Sequence, residues 1–570
     1  MESRFDMQIG AYRKINYFCK KHRPMNNAIF NVGRPENEHT LNYAPGCKER
    51  KALNAELDKL SAEVQDIPLI IGGKEVRTGN LGNVVIPHDH QHVLAHYHKA
   101  GEKEIRQAIS AAMEAHKSWE SFPWVDRVSI TLKVAELISK KYRYLLNAAT
   151  MLGQGKNAYQ AEIDAACETT DFLKFNAFFI SEIYKEQPHS QPGIINRIEY
   201  RPLEGFVLTV SPFNFTAIGS NLNMAPVLMG NTVIWKPATT SILSNYVLMK
   251  IYQEAGVPDG VINFIPGPGS LVGKTAMSDR NLSGVHFTGS TSTFNSIWKL
   301  AADNMSNYKS YPRLVGETGG KDFIFVHESA DPQEVAVAIV RGAYEYQGQK
   351  CSAASRAYIP ESLWKDIRDR VGDMISQITV GDVREFSHFM NAVIDENSFD
   401  NIMGYIEHAR NSKDAEIIFG GKGDKSKGYF IDPTVILTTN PHFKTMEEEI
   451  FGPVMTIYVY KDKDFEQTLH ICDETSPYGL TGSVFSKDRD ALNMACRILR
   501  YAAGNFYFND KPSGAVVGQQ PFGGARGSGT NDKSGSFLNL LRWVNPRTIK
   551  ETLIPATEFT YPFMKEDRCH

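Results

Sequence analysis

Apolar residues recur at helical spacing through 102–119, EKEIRQAISAAMEAHKSW, and through 126–152, DRVSITLKVAELISKKYRYLLNAATML, predicting two long amphipathic helices. The pattern then shortens: GIINRIEYRPLEGFVLTVSPFNF, 193–215, reads as strands joined by turns. From there strands and helices alternate. NTVIWKP is a β-branched strand, and ILSNYVLMKIYQEAG is a helix stopped by Gly256. VINFIPG and GVHFTG are strands, each leading into a helix, GSLVGKTAM and STSTFNSIWKLAADN. The second half repeats the rhythm: DFIFVHES and AASRAYIP are strands, DPQEVAVAIVRGAYEY and ESLWKDIRDRVGDMISQI helices. Strand and helix in regular alternation predict parallel sheets covered on both faces. Two α/β units in series follow, with a linker-like boundary expected around LVGETGGKD, 314–322.

Composition narrows the class only by exclusion. The 570 residues are 42% hydrophobic and 22% charged with a net charge of −3, which gives no electrostatic basis for binding nucleic acid or a membrane surface. No apolar run is long enough to cross a bilayer. The seven cysteines, at 19, 47, 167, 351, 472, 496 and 569, are odd in number and scattered, without a CxxC pair or metal-ligand spacing. A reducing compartment and no metal site are expected. Residues 1–34 stand apart: seven Lys and Arg, among them Arg4, Lys14 and Arg23, face only Glu2 and Asp6. A basic, acid-poor start without an apolar stretch fits a mitochondrial presequence or a plain basic tail.

Chemistry enters with YQGQKCSAASR, 346–356. Cys351 sits among polar residues and glycine, as a thiol on an exposed or cleft-lining turn would, and Lys350 beside it is expected to favour the thiolate. The plain alternative is an inert small residue. ETGGK offers Glu317 as a general base, with two glycines that let backbone approach closely. SPFNF sets Asn214 after a strand, where an amide is either an oxyanion donor or a turn former. IPGPGSLVG and FTGSTST are Gly-rich strand-to-helix turns of the kind that face phosphates, though neither fits G-x-G-x-x-G. Lys236 ends a strand where it would reach ribose hydroxyls or phosphate. EEEIFGPV reads either as an acid able to clamp a ribose with Phe451 able to flank a flat ring, or as ordinary helix-to-strand punctuation.

Singly these signals are weak; their order is specific. SPFNF, WKPA, FTGS, ETGGK, GQKCSA and EEIFGPV occur once each and in this sequence, and over roughly 65–550 the chain resembles the aldehyde dehydrogenase superfamily. The resemblance implies an α/β fold of two Rossmann-type domains plus a small β oligomerisation element. The NAD-binding domain would take 60–188 and 204–315, the catalytic domain 316–524, the oligomerisation element 189–203 and 525–555, and the basic segment 1–35. It implies Cys351 as the nucleophile, Asn214 with the Cys351 amide as the oxyanion hole, and Glu317 as the base that activates water. It also implies NAD held by Ser211, Lys236, Gly289, Ser290, Thr291, Ser292, Thr293, Glu449 and Phe451.

The segment NDKPSGAVVGQQPFGGARGSGTNDKSG, 509–535, narrows the substrate. PSGAVVG is a turn whose Gly514 and Ala515 amides make a nest able to bind a carboxylate without a cation. This segment, with PFNFTAIGSNLNMAPVLMGNTVIWKP, resembles the delta-1-pyrroline-5-carboxylate dehydrogenase branch. That likeness implies oxidation of L-glutamate γ-semialdehyde to glutamate in proline catabolism. It places Glu168, Phe215, Ser352, Gly514, Ala515 and Phe522 at the substrate, and implies a homodimer or larger assembly in the mitochondrial matrix. Ala515 stands where some relatives carry serine, Gly527 where alanine is expected, and Thr239 where many NAD-specific members of the superfamily place an acid near the adenosine ribose. A dehydrogenase for another acidic semialdehyde, and a non-catalytic scaffold of the same fold, are the competing readings.

Overall fold

The strands that carry the architecture are apolar at nearly every position, as burial on both faces of a parallel sheet demands. Every residue of Leu282–Thr288, Asp322–Val326 and Thr481–Phe485 is buried. The computed structural model describes residues 30–564, so the basic segment expected over 1–35 lies almost wholly outside the described residues. Seven strands form each of two sheets. In the first, Arg313–Glu317, Leu282–Thr288, Phe206–Val210, Thr232–Lys236 and Ile262–Phe264 run parallel in that spatial order. Leu69–Ile71 and Lys74–Val76 extend it antiparallel. Phe206–Val210 comes first in the chain among the five and has a later strand on each side, so the strand order reverses there. Such a reversal opens a crevice at the carboxyl ends of the strands.

The second sheet runs Ala415–Phe419, Thr434–Thr438, Val454–Tyr460, Ala354–Pro360, Asp322–Val326, Thr481–Phe485 and Asn505–Phe508, antiparallel only at its first strand. Its reversal point is Asp322–Val326, between Ala354–Pro360 and Thr481–Phe485. The stretch 314–322 is therefore not a linker. It ends the last strand of one sheet at Glu317 and starts a central strand of the other at Asp322, with four residues between.

The expected helix over 126–152 is broken. Trp124–Glu136 passes through a π-helical turn, Leu137–Lys141, into Arg143–Gln154. The wide turn lets Lys141 and Tyr142 both reach Glu254 while Arg143 turns inward to Glu162, a rearrangement the unbroken apolar periodicity does not reveal. The helix expected over 331–346 ends at Tyr344. One of the smaller sheets pairs Ile194–Pro202 with Val544–Thr552 antiparallel along their whole lengths. Among the described residues no helix is long and apolar enough to cross a membrane.

Candidate active site

The segment around Cys351 is polar because its side chains serve backbone. After helix Pro332–Tyr344 the chain turns through three consecutive left-handed residues, Tyr346, Gln347 and Gly348, at φ 54°, 56° and 69°. Tyr346 and Gln347 adopt this unfavourable region because buried hydrogen bonds fix them there. The Tyr346 hydroxyl donates to the Gln154 carbonyl at 3.0 Å, and Gln347 Nε2 donates to the carbonyls of Gly155 and Ala392 at 2.9 Å each. Gln349 Oε1 accepts from the Ile394 amide at 2.8 Å. A methyl at Gly348 would collide with the Gly452 carbonyl. The turn ends on Cys351, which is partly exposed.

The expectation that Lys350 favours the thiolate is overturned. Lys350 is buried and committed to Glu345 at 2.9 Å. Burial pushes the Cys351 thiol well up, and the carboxylates of Asp322, Glu317, Glu449 and Glu168 push it further. The lysine is the cysteine's neighbour in the chain, but its ammonium is spent on Glu345.

ETGGK is wedged beneath the nucleophile. A methyl at Gly320 would strike the Cys351 carbonyl, and one at Gly319 the Glu449 carboxylate. The Gly320 amide donates to Glu449 Oε1 at 2.9 Å. Burial raises Glu449 to about 7, opposed by that hydrogen bond and by Lys321. Glu317 ends its strand with Oε2 accepting from the Gly524 amide at 3.0 Å. Burial holds its carboxyl well above the usual range, offset by the Gly524 amide and Lys533. Asn214 is buried, and its Nδ2 donates to the Gln349 carbonyl at 3.1 Å, two residues ahead of Cys351. That bond fixes the amide plane while an amide nitrogen keeps a second hydrogen to give.

On another side stands the helical face that begins at Glu168, which closes a π-helical turn over Glu162–Glu168. Its carboxyl is pushed up by burial and by Asp164, against the pull of Lys156. Asp164 caps the helix that follows Phe215, accepting from the amides of Thr216 and Ala217 at 3.0 and 2.8 Å. It also pairs with the fully buried Lys156 at 2.7 Å, whose ammonium lies 3.9 Å from the Phe215 ring centre. Ser352 is buried next to Cys351. In the 513–522 loop the amides of Gly514 and Ala515 make no hydrogen bond among the described residues. Lys511 Nζ sits beside this turn, 2.8 Å from the Ser513 carbonyl, so a cation does accompany the nest. Phe522 bridges to Ser534, and Gly523 and Gly524 carry the loop on to Glu317.

The residues expected to hold a nucleotide gather at the carboxyl ends of the first sheet's strands. The Ser211 amide donates to the Lys236 carbonyl at 3.2 Å, and the Ser211 hydroxyl accepts from the Trp235 indole at 3.0 Å. Burial alone lowers the Lys236 ammonium, and a methyl at Gly269 would touch its Nζ at 3.9 Å. The Gly289 amide donates to the Glu317 carbonyl at 3.2 Å. Ser290 caps helix Thr291–Asp303 by accepting from the Thr293 amide at 3.2 Å. Phe451 is left-handed at φ 59° and packs edge-on to Phe213 with ring centres 5.8 Å apart.

Lys156, Asp164, Lys511, Lys321 and Asp322 carry charge into this region without having been singled out from sequence. Lys321 and Asp322 directly follow ETGG, and the apolar strand after them would have marked both as buried. The structure thus brings Cys351, Asn214, Glu317, Glu449 and Glu168 together, while Lys236 and the 289–293 turn lie at the carboxyl ends of the first sheet's strands.

Residues 77–549 match the aldehyde dehydrogenase family. A mitochondrial delta-1-pyrroline-5-carboxylate dehydrogenase of Dictyostelium discoideum is 56% identical over 94% of this chain and 96% of its own length. The human mitochondrial enzyme of the same name is 48% identical over 93% of this chain and 94% of its own length. A crystal structure of the delta-pyrroline-5-carboxylate dehydrogenase from Mycobacterium tuberculosis bound with NAD superposes with a TM-score of 0.92 at 47% identity, covering 95% of this chain and all of that one. With that match, and with a cysteine, an amide and a carboxylate converging at one cleft, the chain belongs to the aldehyde dehydrogenase family.

Proposed function

We propose that the protein is an NAD-dependent L-glutamate γ-semialdehyde dehydrogenase, which oxidises the open form of delta-1-pyrroline-5-carboxylate to glutamate in proline catabolism. The observation that carries the reading is the strained 346–348 turn, which spends three left-handed residues to set Cys351 beside Asn214 and over ETGGK. Near-full-length likeness to delta-1-pyrroline-5-carboxylate dehydrogenases supports the substrate.

The chemistry assigned to each residue follows from its surroundings. The Cys351 thiol gives its proton to solvent and the sulfur attacks the aldehyde carbon, forming a C–S bond as the C=O π pair moves onto oxygen to make an oxyanion. Asn214 Nδ2 and the Cys351 amide donate to that oxyanion where charge develops. NAD, when bound, would supply the acceptor for the hydride that leaves the carbon; Cys351 then carries the acyl group as a thioester. Glu317 then takes a proton from water, whose oxygen attacks the thioester carbon, and the C–S bond breaks to release the carboxylic acid. The raised Glu317 carboxyl is a better base for this than an exposed carboxylate.

The first-sheet cleft fits the dinucleotide. Lys236, largely desolvated at a strand end and with no carboxylate partner among the described residues, is costly there unless a polar ligand answers it. Lys236 is assigned to the adenosine ribose, Ser211 and Gly289 to Thr293 to the wall facing the phosphates, and Glu449 with Phe451 to the nicotinamide ribose. Glu168, Phe215, Ser352 and Phe522 line the substrate, with the Gly514 and Ala515 amides on its carboxylate. The division into an NAD-binding part (60–188, 204–315), a catalytic part (316–524) and an oligomerisation element (189–203, 525–555) is supported by the separate sheets.

An isolated two-stranded ribbon is barely stable in water. That supports pairing of Ile194–Pro202 and Val544–Thr552 with a second copy, as a dimer or larger. The relatives from Dictyostelium and human are named mitochondrial, which supports a matrix location here. The deciding experiment measures NADH formed from pyrroline-5-carboxylate, succinate semialdehyde and aminoadipate semialdehyde. Preference for either of the latter two would replace the substrate assignment.

A further inference from the structure

Residues 34–43 form an arm that crosses helix Thr169–Lys185 and reaches the loop carrying Gly514 and Ala515. It is not a fraying end. Glu38 accepts from Ser139 Oγ and Lys174 Nζ at 2.7 Å and from Arg143 Nη1 at 2.9 Å. The Leu41 amide and the Tyr43 hydroxyl donate to Glu162 at 2.8 and 2.7 Å. Between these fixtures Asn37 does something different. Its Nδ2 donates both to Asp171 Oδ2 and to the Val517 carbonyl, each at 2.8 Å, and its Oδ1 accepts from Gln519 Nε2 at 2.9 Å. The Glu38 amide donates to the other Asp171 oxygen at 2.7 Å. Asp171 is only 4% exposed. One amide side chain therefore ties a buried carboxylate of the helix to the loop.

That helix face matters because of what it aligns. Glu168, Asp171, Phe172 and Phe175 recur at i, i+3, i+4 and i+7 and share one side. Val517 packs with Phe172 and Phe175, and a methyl at Gly518 would collide with the Phe175 ring. Otherwise the loop is thinly held: Gly514, Val516, Gln519 and Gln520 are exposed. A loop with few buried contacts opens at low free energy unless a specific tie closes it.

We propose that Asn37 is a positioning residue for the substrate: it locks the 514–519 loop onto helix Thr169–Lys185, so that the Gly514 and Ala515 amides stand at a fixed distance from Cys351. The inference rests on the assignment of those amides to the substrate carboxylate. Without the tie the loop spends less time in the competent position, and apparent affinity falls by that fraction. Only substrates that use the carboxylate grip are affected.

The test compares wild type, Asn37→Ala and Gln519→Ala with glutamate semialdehyde and with pentanal, which lacks the carboxylate. Asn37→Ala raises KM for the semialdehyde about ten-fold, with kcat, KM for NAD and the pentanal constants within about two-fold of wild type. Gln519→Ala removes one of the three ties from the solvent side, leaves no buried group unpartnered and shifts KM the same way by a smaller factor. It decides the matter should Asn37→Ala not fold. Unchanged semialdehyde KM in the folded variants, or an equal rise for pentanal, overturns the role of Asn37. Failure of the underlying assignment looks different: wild type itself would then not distinguish the semialdehyde from pentanal in KM.

Discussion

At the scale of single residues the site works by placing charge and strain where reaction needs them. Burial, reinforced by the nearby carboxylates of Asp322, Glu317, Glu449 and Glu168, pushes the Cys351 thiol well up from its ordinary range. Alkylation by iodoacetamide reads the thiolate directly. Its rate should climb with pH from 7 through 10 without levelling near 8.5, as an unperturbed thiol would; a plateau below pH 8 would mean an unrecognised cation acts on the sulfur. Replacing Cys351 by Ala should lower turnover on the order of 10³-fold or more. Asn214→Ala keeps the nucleophile but removes an oxyanion donor, and should cost about 10²–10³ in kcat with little change in KM for NAD. Glu317→Gln separates the half-reactions. One equivalent of NADH per site should form in a burst, after which turnover falls by about 10²–10⁴, and mass spectrometry should find the acyl group on Cys351. Loss of the burst along with turnover would assign Glu317 to the first half instead.

At the scale of elements, two local devices hold these residues. The first is the turn at 346–348, whose backbone only Gly348 adopts without strain. Gly348→Ala adds both an unfavourable φ and a collision with the Gly452 carbonyl. It should therefore cost activity well beyond any drop in melting temperature, read as kcat per titratable Cys351. The second is the Lys156–Asp164 pair beneath Phe215, with both side chains fully buried. Asp164→Ala removes a helix cap and leaves an ammonium unpaired in the interior, which should destabilise by about 3–5 kcal/mol in denaturant titration. Lys156→Met in the same chain should recover part of that loss. Of these devices the sequence displays only fragments. Polar Gln347 and Gln349 read as surface, yet both are buried because their amides satisfy backbone carbonyls and an amide proton. The break at Leu137–Lys141 is likewise hidden, because apolar spacing continues on both sides of it.

At the scale of the molecule, the cleft forms where two sheets meet end to end through the four residues 318–321. The ribbon of Ile194–Pro202 and Val544–Thr552 stands off this body, and exposed apolar residues cluster near its root and beyond it: Ile195, Phe537, Leu541, Leu553 and Ile554. Surfaces of this kind mark contacts between chains. Ile195→Asp with Leu541→Asp should shift the protein toward single chains in light scattering. A wild type larger than one chain whose mass is unchanged in the variant would rule out the ribbon as the contact between copies.

What the sequence determined by itself is the alternation of strand and helix and the candidates for the reacting groups. Buried parallel strands must be apolar throughout, glycines must stand where backbone approaches closely, and an amide, a carboxylate and a thiol stand in that order in motifs that occur once each. The tertiary structure alone decided the electrostatics and the supports. Lys350, adjacent to Cys351 in the chain, turns away to Glu345, while Asp322, Glu449 and Glu168 arrive from distant segments. Asn37 lies hundreds of residues from the loop it ties. Charge acts through distance in space and hydrogen bonds join whatever folding brings within 3 Å or so; neither quantity is written in the order of residues along the chain.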